Sequence, residues 1–127
     1  MLVPAIHDTD NDLCLAESHA ILKYLAQKYK VAEEWYPRQD IAKQAKVNEF
    51  LDFHHQNTRK CAYLVFHVVF AKALKKGDPT FNKEFTFKVV KSALRNLQDI
   101  YLGEKKFIGG EHPCIADLIA IYDVAML

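Results

Sequence analysis

The sequence predicts an α+β fold: a ββα unit, a short linker and a larger unit of antiparallel helices. Three observations carry this expectation. Two short apolar runs, at 3–8 and 12–16, flank a polar turn. A stripe of apolar residues at helical spacing begins directly after them, at Ser18. Beyond residue 40 the apolar positions recur at steps of three, four or seven, and Gly and Pro clusters punctuate them.

The elements follow in order. Val3 and Ile6 flank Pro4, which removes a ladder hydrogen bond and suits a strand start or an edge. Residues 8–12 are Asp, Thr and Asn, a turn composition without a glycine to relax it. Ser18 is the expected N-cap of a helix over 18–29, with Ile21, Leu22, Leu25 and Tyr29 on its apolar face. Residues 30–40 break the pattern, and Trp35 and Tyr36 are placed to clasp this linker onto its neighbours. A long helix is expected from Ile41 to about Lys76. Its face carries Ala45, Asn48, Leu51, His55, Ala62, Val65, Val69 and Ala73, and Gly77-Asp78-Pro79 stops it. A second helix over about 82–102 carries Phe87, Val90, Leu94, Leu97 and Tyr101 and closes at Gly103. A third starts near Cys114 and carries Ile115, Leu118, Ile119 and Tyr122. The domain boundaries expected are 1–30, 31–40 for the linker and 41–127.

Bulk composition narrows the function classes. The 127 residues include 17 Lys or Arg against 16 Asp or Glu, a balance that argues against a nucleic-acid surface or a polybasic membrane patch. The longest apolar stretch, Ala62 to Ala71, is interrupted by His67 and is too short to span a bilayer. The cysteines, Cys14, Cys61 and Cys114, form no CxxC and no zinc spacing, which fits a reducing cytoplasm. His54 and His55 are adjacent, so a helix would not bring them to one ligand, and no metal site is expected.

The candidate binding residues sit at the strand start and the first helix start. A short apolar strand led by Pro4 stands beside that helix start, and the two form a cradle for a small peptide carboxylate. A helix opened by Glu17 and Ser18 offers N–H groups and a favourable dipole to a small carboxylate. On the residues alone the plainer reading stands beside this one: Pro4 ends an edge strand and Ser18 caps a helix.

Taken together, four segments are similar to glutathione transferases, with the closest resemblance to the theta class. They are Val3-Pro4-Ala5-Ile6 with Leu15-Ala16-Glu17-Ser18; Ala20 to Leu25 running to Lys28-Tyr29; Trp35-Tyr36-Pro37; and Phe107-Ile108-Gly109-Gly110 before Ile115-Ala116-Asp117-Leu118. The stretch His54-His55-Gln56-Asn57-Thr58-Arg59 is the part that resembles theta specifically. The resemblance implies the C-terminal ββα part of a thioredoxin-like domain, followed by an incomplete all-helical domain. It also implies a cis bond between Val3 and Pro4, and a glutathione site at Val3, Pro4, Glu17 and Ser18. His55 and Arg59 become candidates for the wall of the electrophile pocket. For Arg59 the alternative is an ordinary solvated residue.

The implied reaction is conjugation of the glutathione thiolate to small hydrophobic electrophiles. Glutathione is then a co-substrate, no other cofactor enters, and the full-length form is a cytoplasmic homodimer. No residue matches the family's thiol-activating Ser. The chain is therefore expected to be an N- and C-terminally truncated member in which no catalytic residue is identified, with Arg59 as the candidate auxiliary that would stabilise a thiolate or an anionic substrate. The alternative is a non-catalytic interaction module. The resemblance also casts Ile115-Ala116-Asp117 as a helix-capping box with Cys114 in the cap position, where a thiol is a weak acceptor.

Overall fold

The computed structural model describes residues 3–74 and 80–127. Strands β1 (Ala5–Asp8) and β2 (Leu13–Ala16) pair antiparallel in the register Ala5↔Ala16, Ile6↔Leu15, His7↔Cys14 and Asp8↔Leu13. The turn between them lacks glycine, and Asp12 supplies the left-handed residue at φ 47°. Asp is among the few side chains that tolerate this region.

Helix α1 (Ser18–Lys28) returns over the hairpin and is tied to it by charge. Lys28 Nζ donates to both Asp8 oxygens at 2.6 Å and to Asp10 at 2.9 Å, and the Tyr24 hydroxyl donates to Asp8 as well. The Lys28 ammonium, with help from Tyr24 and Asn11, holds the Asp8 carboxyl far below its usual range. The Asp8 carboxylate, followed by that of Asp10, in turn raises Lys28. The first helix ends one residue earlier than its periodicity predicts, and Tyr29, expected on the apolar face, is exposed. Ser18 is the first helical residue rather than the cap: Glu17 occupies the cap position, and no side chain caps the helix.

The linker clasp forms through the Tyr36 side chain, whereas the Trp35 side chain is exposed and only its backbone is engaged. Tyr36 is buried, and its hydroxyl donates to Asn48 Oδ1 at 3.2 Å. The Trp35 carbonyl accepts the Ile115 N–H at 3.0 Å. Helix α2 (Ile41–His54) then starts at a true N-cap, with the Asp40 side chain accepting from the Lys43 N–H.

The single long helix expected over 41–76 is not what forms. It breaks over residues 55–59, after which α3 (Lys60–Val65), a π-helical turn (Phe66–Phe70) and α4 (Ala71–Leu74) continue. Side-chain competition explains the break. The Asn57 side chain donates to the Phe53 carbonyl at 2.8 Å, the acceptor that the Asn57 N–H would need in a regular helix. The Asn57 and Arg59 N–H groups instead share the His54 carbonyl, both at 3.1 Å. The expected face was also misplaced. Ile41, Ala45 and Val69 are exposed, and the buried stripe of α2 is Val47, Phe50, Leu51 and His54. The stop at Gly77-Asp78-Pro79 and the side chain of Ala73 lie outside the described residues.

Helix α5 (Lys83–Asn96) is capped by Asn82, whose side chain accepts the Phe85 N–H at 2.9 Å. It continues through a π-helical turn (Leu97–Leu102) and ends at Gly103, φ 56°. Val90 and Leu97 are buried as expected. Phe87 is exposed, and Thr86 takes its place in the buried stripe. Helix α6 (Ile115–Val124) buries Ile115, Ala116 and Ala120, whereas Leu118 and Tyr122 are exposed.

One core joins the elements: Ala26 of α1, Tyr36 of the linker, Val47, Phe50 and Leu51 of α2, Leu97, Ile108, and Ile115, Ala116 and Ala120 of α6. A second cluster, Cys61, Leu64 and Val90, packs α3 on α5. The loop before α6 depends on Asp117. Its carboxylate accepts the N–H groups of Ile108 at 2.7 Å, Cys114 at 2.9 Å and Gly109 at 3.3 Å. The loop is tight enough that a Cβ on Gly109 would meet the His112 carbonyl oxygen at 2.8 Å. Replacing Asp117 with Ala orphans these donors. Equilibrium urea unfolding should then show a loss of about 3 kcal/mol. A variant as stable as the parent would contradict this role for Asp117.

Candidate functional site

The hairpin register brings the two halves of the expected site together. Ala5 pairs with Ala16, so Val3-Pro4 and Glu17-Ser18 lie side by side just beyond the last pair. The Val3-Pro4 bond is cis, and Val3 is 91% exposed, its backbone open to an extended ligand. Glu17 sits at φ 73° and ψ 115°, a left-handed conformation uncommon for a residue with a Cβ. Held there, it carries the chain from the strand into the helix with its carboxylate exposed and its carbonyl accepting the Ile21 N–H at 3.0 Å. Ser18 opens α1, whose first N–H groups have no side-chain cap. An uncapped helix start with a hydroxyl beside it can take an anionic oxygen, and an exposed carboxylate beside that can take an ammonium group.

The residue after Ser18 was missed in the sequence, and it links this edge to the helical unit. His19 is 4% exposed and packs its ring against two others, with centroids 4.2 Å from His55 and 5.0 Å from His54. Burial, more than the nearby charges of Lys23 and Arg59, pushes its pKa down to about 4. His54 is also buried. Its Nδ1 lies 2.8 Å from Thr58 Oγ1 and its Nε2 lies 3.3 Å from Asp123 Oδ2. These partners imply a neutral ring that accepts from Thr58 and turns its Nε2–H toward Asp123. Burial pushes His54 down to about 3 and raises Asp123. The signal that would have found this cluster is a third histidine, but His19 and His54 are 35 positions apart in sequence.

His55 and Arg59 lie in the turn after α2, where the continuous helix expected there is broken. His55 is half-buried against His19, and Arg59 is exposed, with its charge close enough to depress both His19 and His54. Among the described residues no group of three or more His, Cys, Asp or Glu is arranged to hold a metal ion. The buried thiols Cys61 and Cys114 are each raised to about 11, chiefly by burial, and are poor nucleophiles. A groove of about 830 Å³ opens between the linker, the start of α2 and the Gly109-Gly110 loop, and none of the expected site residues line it.

Replacing His54 with Phe keeps the ring's volume but strips Thr58 and Asp123 of their partner. Denaturant unfolding at pH 7.5 should show a loss of about 2 kcal/mol. Unchanged stability would mean that the His54 contacts hold nothing in place.

No protein-family model matches the chain. Among curated proteins it is 40% identical to mouse glutathione S-transferase theta-1 over 124 residues, which are 96% of this chain and 50% of that protein. Among solved structures it is similar to human glutathione-S-transferase T1-1, apo form, with TM-score 0.84 and 36% identity over 98% of this chain and 52% of that one. It is also similar to a human theta-class glutathione transferase in complex with the glutathione conjugate of 1-menaphthyl sulfate. That match has TM-score 0.83 and 30% identity over 98% of this chain and 50% of that one. The chain thus spans about half the length of the relatives it matches. Among the described residues no helix is long and apolar enough to cross a membrane.

Proposed function

We propose that this chain, a homologue of theta-class glutathione S-transferases over 96% of its length, forms part of the glutathione site of such an enzyme. The observation that carries this reading is the juxtaposition of the cis Val3-Pro4 edge with the left-handed Glu17 and the uncapped start of α1. In it, the Val3 N–H and carbonyl pair with the cysteinyl backbone of glutathione, as an added strand would. The first N–H groups of α1 and the Ser18 hydroxyl take the γ-glutamyl carboxylate, and Glu17 accepts from its ammonium group. Pro4 fixes the bend that exposes Val3. His55 and Arg59, beyond His19, stand at the wall of the electrophile pocket.

The reaction of the whole enzyme is conjugation of the glutathione thiolate to small hydrophobic electrophiles, in a cytoplasmic homodimer. The residues of this chain bind and orient the tripeptide, and none of them is assigned to ionising its thiol. In domain terms, residues 1–30 belong to a thioredoxin-like part, 31–40 to the linker and 41–127 to the helical domain. A second reading, a non-catalytic interaction module, draws support from the exposed Phe66, Phe70, Phe85 and Phe87.

Glutathione binding by the 127-residue chain, measured by calorimetry, tests the proposal. Ser18→Ala and Glu17→Gln should each weaken binding about ten-fold, the scale of one charge-assisted hydrogen bond. Binding that is unaffected by both substitutions would remove the site from these residues. A chain that binds no glutathione yet forms a stable complex with another protein would favour the second reading.

A further inference from the structure

We propose that His19 is an acid-sensitive latch: its neutral ring holds α1 docked on the end of α2, and a proton on that ring releases it. The geometry is specific to this position. His19 lies at the second residue of α1, is 4% exposed, and neither ring nitrogen has a hydrogen-bond partner. A neutral ring without partners behaves as a flat, mostly apolar wedge between α1 and the turn that follows α2. An imidazolium in the same place would carry a buried charge with no acceptor.

The groups that face it sharpen the contrast. From α1, Lys23 acts on it as a cation. From α2 come the ring of His54, at 5.0 Å, and Asp52, an exposed carboxylate whose attraction is the smallest of these influences. From the turn after α2 come the His55 ring, at 4.2 Å, and the Arg59 guanidinium. The two cations and the His55 ring therefore oppose a proton on His19, and one carboxylate, the weakest of these influences, favours it. His54 differs, because its Nε2 lies 3.3 Å from Asp123 of α6, where a proton meets a carboxylate. Thr58 holds the other nitrogen of His54, and Cys61 lies behind, near Asp123.

The direction of the effect follows from the depressed pKa. The released ring binds a proton near its ordinary 6.5, whereas the docked ring resists protonation down to about 4. The unfolded chain therefore holds more protons across this window, and stability falls as pH falls. The contribution is complete above pH 6.5, declines as the pH drops below it and levels off near 4. Ser18 is the neighbouring residue, so release moves the start of α1 together with the strand edge beside it.

The test is urea unfolding of the 127-residue chain at pH 8 and pH 5, beside His19→Leu and His19→Gln. On acidification the parent's folded-to-unfolded ratio should fall about thirty-fold more than that of either variant, the factor that one such proton supplies. A ring that served only as packing would shift the ratio equally at both pH values. The inference is overturned if both variants, or the one that folds, keep the full acid sensitivity of the parent. The experiment contains no glutathione, so its outcome is independent of the binding proposal.

Discussion

The contact between α1 and the helical unit carries more of this structure than its size suggests. A two-stranded hairpin has too little apolar surface to persist in water, and one helix laid over it adds only a partial cover. The inner face of α1 has nowhere to go except onto α2, the linker and α6. Ala26 enters the main core beside Tyr36, Val47 and Phe50, and Leu22 and Val31 pack at its margin. The linker is held by the Tyr36 hydroxyl on Asn48 and by the Ile115 N–H on the Trp35 carbonyl, so the loop before α6, α2 and α1 meet around one short segment. The Lys28–Asp8 contact then fastens the hairpin to the far end of the same helix.

This arrangement also explains why the candidate site is placed where it is. The strand edge at Val3-Pro4 and the start of α1 are fixed relative to each other by only four paired residues on each strand. Their common reference is α1, which the core fixes at Ala26 and the histidine cluster fixes at its opposite end. The site thus lies at the edge of a small sheet, but its position is set by contacts with another unit. Its polar neighbour is built from His19, His54 and His55, a choice that costs more to bury than aliphatic side chains and makes the contact responsive to protons.

Much of the fold was legible in the sequence because local rules acted without opposition. The hairpin, the first helix, the stop at Gly103 and the start of α6 at Cys114 follow from turn chemistry, periodicity and capping. The pairing of Asp117 with the Cys114 N–H was expected from the family resemblance. Other features depended on competition that a pattern of apolar residues does not record. Asn57 takes the Phe53 carbonyl and breaks what periodicity reads as one helix. Ser18 could not be told from an N-cap, because the left-handed Glu17 ahead of it moves the helix boundary by one residue. The buried face of α2 was partly misread: Leu51 is buried as expected, but two faces carry apolar residues and only tertiary packing selects Val47 and Phe50 over Ile41 and Ala45. Of the candidate site, Val3, Pro4, Glu17 and Ser18 were named from the family resemblance that their segments carry. His19 was not, because its meaning lies in histidines 35 and 36 positions away.

Held by these contacts, α1 and the helical unit form one cooperative body. Amide hydrogen exchange of the 127-residue chain at neutral pH measures this directly. The interior amides of α1, around Leu22 to Ala26, should open with the same free energy as those of α2 and α6. Exchange of the α1 amides through low-energy local opening, while α2 and α6 stay protected, would contradict it.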